Sequence, residues 1–144
     1  MQSSFARVAS YPVIEVDALL HDYLLGLVLI AGGGRDTGSR PVQWVHSSDL
    51  VDPTPFLTPR TVLLTTGMQF ALAGGEKTGY GAPEEEENEQ DVETLRQELA
   101  DAYVQRLVDA GTTALGAAVG IHWDRIPPTL IDACDRLHLP LFRV

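Results

Sequence analysis

The second half of the chain alternates strand-like and helix-like segments, and this alternation constrains the fold more than any other feature of the sequence. Thr61-Val62-Leu63-Leu64-Thr65-Thr66 is β-branched and apolar and stops at Gly67, which reads as a strand. A helical pattern opens at Asp91. Leu95, Leu99, Tyr103 and Leu107 recur every four residues, Val92, Val104 and Val108 widen the stripe, and Gly111 is placed to cap it. Thr113 to Val119 is the next expected strand, ending at Gly120. Pro127 and Pro128 suit the first turn of a second helix, whose apolar face is Leu130, Ile131, Cys134 and Leu137. Arg136 and His138 fall in its last turn, Pro140 stops it, and Leu139 to Val144 reads as the last strand. Right-handed crossovers turn such a βαβαβ order into a parallel sheet. The expected fold class is therefore α/β, a single domain with a mainly parallel sheet flanked by helices.

The first half carries weaker signals. Val16, Leu19, Leu20, Tyr23 and Leu24 follow helical spacing, with Gly26 as the stop. Leu27 to Ile30 resembles a buried parallel strand, and Val42 to Val45 a further strand. Ala73 to Asn88 holds four glycines, a proline and the Glu84–Glu87 run. It reads as an acidic flexible loop over about residues 73–90. Three predicted strand ends run into glycine: Ile30 into Gly32, Thr66 into Gly67 and Val119 into Gly120. Ligands of open parallel sheets sit beyond the carboxyl ends of the strands, so a pocket is expected where these ends meet.

Composition excludes several function classes. The 144 residues make one domain's worth of chain, and 10 basic against 20 acidic residues leave a net charge of −10. That excess repels phosphate, so direct nucleic-acid binding is not expected. The single cysteine, Cys134, reads as a small core residue rather than a nucleophile. His21, His46, His122 and His138 lack metal-ligand spacing, so no metal is expected. Gly32-Gly33-Gly34 lacks the spacing of a dinucleotide fingerprint, and no cofactor is expected. No signal peptide is visible, and the longest apolar stretch, Leu24 to Ala31, is too short to span a bilayer. A cytoplasmic location without membrane contact is the expectation.

Two readings stay open for each candidate site residue. Thr65, Thr66 and Gly67 either offer two hydroxyls and an open amide to a small polar ligand or simply end a strand. His122 and Trp123, after the next strand, either flank a flat ligand or pack as a lid over the core. His46 stands beside Ser47, Ser48 and Asp49. That neighbourhood suits either a Ser-His-Asp constellation or a capped turn, and the turn is the simpler reading.

The order of the segments resembles a known family. Val42-Gln43-Trp44-Val45-His46-Ser47-Ser48-Asp49-Leu50, then Asp52-Pro53-Thr54-Pro55-Phe56-Leu57, then Leu63-Leu64-Thr65-Thr66-Gly67 is similar to the N-terminal domain of purine catabolism regulator (PucR-like) proteins. Tyr103 to Gly111, Ala114-Leu115-Gly116, Ile126-Pro127-Pro128 and Leu139-Pro140-Leu141 follow in register, so the resemblance runs from about Val16 to Val144. It implies a bacterial transcription regulator whose N-terminal domain senses a small catabolic metabolite, a purine-breakdown product or an amino acid. It also implies homodimers and a DNA-binding helix-turn-helix that is not expected within these residues, which makes the chain a fragment or a stand-alone domain. The effector site is expected at the strand ends, at His46, Thr65, Thr66, Gly67, His122 and Trp123, with no catalytic residue. Pro59-Arg60-Thr61 departs from the family, which has a Gly-Glu-like pair before Leu-Leu-Thr-Thr-Gly, and the acidic loop is longer than the family's. Two alternatives are a dimerisation module without ligand and a small α/β hydrolase using His46 and Asp49.

Overall fold

A computed structural model describes residues 12–73 and 89–144. The elements in chain order are β1 (Ile14–Glu15), α1 (Val16–Leu20), β2 (Val28–Ala31), β3 (Pro41–Val42), β4 (Trp44–Ser47), a 3-10 turn (Thr54–Phe56), β5 (Thr61–Thr65), α2 (Met68–Ala73), α3 (Glu89–Asp109), β6 (Ala114–Ala117), α4 (Pro128–Leu137) and β7 (Leu141–Arg143). Five strands form the main sheet in the order β2-β7-β6-β5-β4. Strands β4, β5, β6 and β7 are parallel, and β2 joins β7 antiparallel. This is the α/β class expected from the alternation.

Register explains where the core lies. Residues paired across neighbouring strands share a face of the sheet. Leu63 pairs with Leu115 and Leu115 with Leu141, so three leucines stand side by side, each fully buried. Each such side chain contributes roughly 1.5–3 kcal/mol of burial. Helices α3 and α4 cover this row with Ala100, Tyr103, Val104 and Leu107 from one and Leu130, Ala133 and Cys134 from the other. The row continues outward to His46, which pairs with Leu63 but is exposed, so the helical layer stops short of β4.

The opposite face carries a smaller core of Val16, Val42, Val62, Ala114 and Phe142. Short α1 closes over it, its Val16 and Asp17 amides donating to the carbonyls of Arg40 and Gly38 at 3.0 and 2.9 Å. Arg40 in turn donates from Nε to the Thr113 carbonyl at 2.9 Å, fastening this layer to the entry of β6.

Several expectations need correction. The helix expected to run from Val16 to Leu24 ends at Leu20, leaving Tyr23 and Leu24 87% and 79% exposed. The Asp22 carboxylate accepts the Leu24 amide at 3.0 Å, and this local turn competes with helix continuation. Strand β2 is an antiparallel edge strand rather than a buried parallel one. It therefore delivers Gly32 to the opposite end of the sheet from Gly67 and Gly120. Gly32 packs there with φ +71°, and a Cβ on it would lie 1.8 Å from the Leu139 carbonyl oxygen. The strand expected at Val42 to Val45 is divided. The Arg60 carbonyl accepts both the Gln43 and Trp44 amides, which kinks the chain and gives Val42 to a separate ladder with Ile14. Leu95 is exposed, so the buried stripe of α3 begins a turn later than its sequence spacing suggests. Helix α2 occupies the segment just after Gly67, and α3 begins at Glu89. The rest of the loop expected over 73–90 lies outside the described residues. Among the described residues no helix is long and apolar enough to cross a membrane.

Candidate functional site

Beyond the carboxyl end of β5 the chain turns sharply at Gly67, which has φ +84°. A carboxylate from the neighbouring strand's exit organises this turn. Asp49 lies two residues past β4, and β4 and β5 are parallel, so both strand ends reach the same edge. Its Oδ1 accepts the Thr66 backbone N–H at 2.7 Å and the Thr65 hydroxyl at 2.9 Å, and its Oδ2 accepts the Thr66 hydroxyl at 2.7 Å. The Thr65 hydroxyl, having donated to Asp49, accepts from Gln69 Nε2 at 2.9 Å and from the Gly67 N–H at 3.2 Å. One donor and two lone pairs are all that a hydroxyl has, so Thr65 is saturated. Gln69 Nε2 also reaches the Tyr103 hydroxyl at 3.3 Å, linking the turn to α3.

An aromatic wall closes the turn from the side. The Trp123 ring lies against Gly67 so closely that a Cβ there would stand 2.5 Å from it. Trp123 is held by an Nε1–H bond to the Ala118 carbonyl at 2.7 Å. Phe70 stacks on it at 5.7 Å between ring centroids and meets Tyr103 edge-on at 5.0 Å.

The electrostatics follow from these contacts. Partial burial pushes the Asp49 carboxyl up. The Thr66 amide, the Thr66 hydroxyl and the Thr65 hydroxyl outweigh this, with a further contribution from nearby His122, and hold it below the ordinary aspartate value. Tyr103 is shifted upward, chiefly by burial, despite the Gln69 bond that favours its ionised form. Burial and the neighbouring Asp135 push the Cys134 thiol up to about 12, so it is a poor nucleophile. Among the described residues no three His, Cys, Asp or Glu side chains stand where they could share a metal ion.

Of the residues singled out in the sequence, Thr65, Thr66, Gly67 and Trp123 come together, with His122 exposed beside them. His46 does not join them. It lines a separate cleft of ≈ 230 Å³ along β4 with Trp44, Val45, Phe56, Thr58 and Thr61. No hydrogen bond joins His46 to Asp49, which is turned toward the threonines, so the two do not form a dyad here. As a local turn residue, Asp49 gives no sign in the sequence of its bond across strands. Gln69 and Phe70 lie in a helix that carries no sequence signal of its own, and the spacing that places Tyr103 in the core says nothing of its polar end. The signal for Gln69 was its spacing, four residues after Thr65, which is one helical turn beyond the strand end.

Compared with protein-family models, curated proteins and solved structures, the chain matches none.

Proposed function

We propose that this chain is the ligand-sensing regulatory domain of a transcription regulator, taking a small polar catabolic metabolite at the carboxyl edge of its sheet. The observation that carries this reading is the Asp49-bound Thr65-Thr66-Gly67 turn beneath Trp123. Thr65 is spent on holding the turn. Asp49 keeps lone pairs beyond its three bonds, Thr66 is half-buried, His122 is exposed and Trp123 offers a ring edge, so these four are the groups that would meet a ligand. A flat, N–H-rich compound such as a purine-breakdown product suits a carboxylate beside an indole. An amino acid would use Asp49 for its ammonium and His122 for its carboxylate.

Binding would favour one arrangement of the turn and of α2 just behind it. It would pass to a DNA-binding domain elsewhere in the regulator as a population shift. A cytoplasmic, homodimeric regulator follows from the same reading. Isothermal titration against a panel of purine catabolites and amino acids tests it, with Asp49→Asn and His122→Ala as site controls. Binding that both variants weaken supports the proposal. No binding by any panel member, or binding indifferent to both variants, refutes it.

A ligand-free dimerisation module is the second reading. It rests on the exposed run Tyr23, Leu24 and Leu25 and on exposed Leu95 of α3. Large apolar side chains left exposed together along one segment often mark an interface. Sedimentation of the wild type against a Tyr23→Ser/Leu24→Ser variant separates this reading from the first, because only a dimer module loses its association while titrations stay blank.

A further inference from the structure

In a parallel ladder alternate residues turn their N–H and C=O toward the neighbouring strand and the others turn them away. On β4 the Trp44 amide donates to Arg60 and the Ser48 amide to Leu64, at 3.2 and 3.0 Å, on the β5 side. Val45 and Ser47 therefore direct their backbone groups outward, to an edge that no strand among the described residues pairs with. Both are exposed, Val45 by 61%, and neither makes a backbone hydrogen bond outside the β4–β5 ladder. Edge strands are ordinarily blunted by shortness, charge, proline, a bulge or a covering segment. The other edge, β2, has an irregularity between Leu29 and Ala31, whereas β4, although short and kinked at its start, carries no lysine or proline and keeps a regular register with β5 from Trp44 to Ser47. Beside this edge lies the ≈ 230 Å³ cleft whose lining includes Trp44, Phe56, Thr58 and Thr61.

We propose that the β4 edge and its cleft form a docking site for an extended, basic segment of another polypeptide, which adds as a sixth strand and places one apolar side chain between Trp44 and Phe56. Two independent features of the same place argue for a peptide. The outward backbone groups repeat every second residue, as a strand's do, and main-chain bonds of this kind supply affinity in strand addition. The cleft is larger than the roughly 150 Å³ that accommodates one benzene ring and smaller than the roughly 300 Å³ at which drug-sized sites begin, so it suits a single side chain. The net charge of −10 steers a basic partner toward the chain. A strand of four residues falls well short of the about 1,200 Å² that a stable dimer buries, which argues against a second copy at this edge. The site is independent of the ligand reading at the Thr65–Gly67 turn.

The test uses isotope-labelled full chain and four capped heptapeptides, Lys-Val-Thr-X-Thr-Val-Lys, with X being Phe, Trp, Leu or Ile. Each is also made in two N-methylated forms carrying methyl groups on alternate amides. At least one peptide is expected to shift the Val45 and Ser47 amide resonances and slow their hydrogen exchange about tenfold or more. One methylated form is expected to lose binding about tenfold or more while its counterpart binds as before. Val45→Pro removes an outward donor and none of the donors of the ladder to β5, so it should fold and lose the peptide, while the methylated pair separates the lost bond from the altered cleft wall. If this variant fails to fold, the methylated pair still decides. The proposal is overturned if none of the four binds at millimolar concentration, or if both methylated forms bind alike. It is equally overturned if the shifts map to the Thr65–Trp123 turn, or if Val45 and Ser47 are protected by concentration-dependent dimerisation without peptide.

Discussion

Asp49 holds Thr66 twice, accepting its backbone N–H on one carboxylate oxygen and its hydroxyl on the other, both at 2.7 Å. This two-point contact joins the exits of two parallel strands at the edge where ligands of such sheets bind. It makes the turn after β5 a built feature rather than a loose strand end.

Removing that carboxylate is expected to destabilise the fold by about 2 kcal/mol at neutral pH, since hydrogen bonds to a charged group are each worth about 1.5–3 kcal/mol and Asn retains one acceptor. For Asp49→Asn the melting temperature should fall by about 4–8 °C. The pH dependence has a definite sign. The folded-state value of Asp49 lies below the ordinary 3.8, so its stabilisation is fully present above the unfolded-state value and lost as pH falls through the folded one. The gap between wild type and Asp49→Asn, measured by urea unfolding, should be constant from pH 7 to about 5 and close below about pH 4. A gap that persists unchanged at pH 2.5 would refute the charged hydrogen-bond account.

How much of this was legible in the sequence depends on the range of the interaction. The row of Leu63, Leu115 and Leu141 was legible because apolar β-branched runs, helical spacing and the capping Gly111 are local signals, and right-handed crossover supplies the rest. The orientation of β2 was not, because a short apolar run looks alike whether its neighbour is parallel or antiparallel. At the site, Thr65, Thr66 and Gly67 announced a strand end. The partner that fixes them, Asp49, is 16 residues from Thr65 and reaches it only because β4 lies beside β5. His46 was grouped with them by its place near a strand end. It falls away because it pairs with Leu63, two residues short of Thr65 along the strand, so its side chain shares the face of Thr65 but opens onto the β4 cleft instead of reaching the turn.

Tyr103 makes a separable contribution. Its hydroxyl accepts from Gln69, whose Nε2 keeps Thr65 as a second partner, so Tyr103→Phe should cost about 1 kcal/mol. Burial raises the Tyr103 value above that of a free phenol. The folded state therefore holds its proton where the unfolded state releases it, and stability falls as pH rises above about 10. Absorbance titration at 295 nm should show one tyrosine ionising only with unfolding, and Tyr103→Phe should delete that late step. A titration in which every tyrosine ionises before unfolding would contradict the buried hydroxyl.

Cys134 tests the core from another direction. It faces the core from α4, fully buried, and its thiol is pushed up to about 12. Thiolate is the reactive form, so a thiol-specific reagent at pH 8 should leave the native protein unmodified over hours and react within minutes in denaturant. Rapid native-state labelling at full stoichiometry would mean that the core does not close over it. Labelling that tracks added urea would instead report local opening, and its urea dependence would measure that opening's free energy.

Gly67→Ala is the sharpest test of the site's geometry. The left-handed backbone at this position costs a non-glycine residue roughly 1–2 kcal/mol. The new methyl group would also lie 2.5 Å from the Trp123 ring, which cannot simply swing away because Ala118 holds its Nε1–H and Phe70 stacks on its face. Overpacking of this kind adds about 1–3 kcal/mol. The combined loss should lower the melting temperature by about 4–20 °C. In a Trp44→Phe background, where Trp123 is the sole indole, emission should shift to the red as the ring is displaced toward water. Unchanged emission with an unchanged melting temperature would show that Trp123 does not rest on Gly67, and would remove the aromatic wall from the proposed effector site.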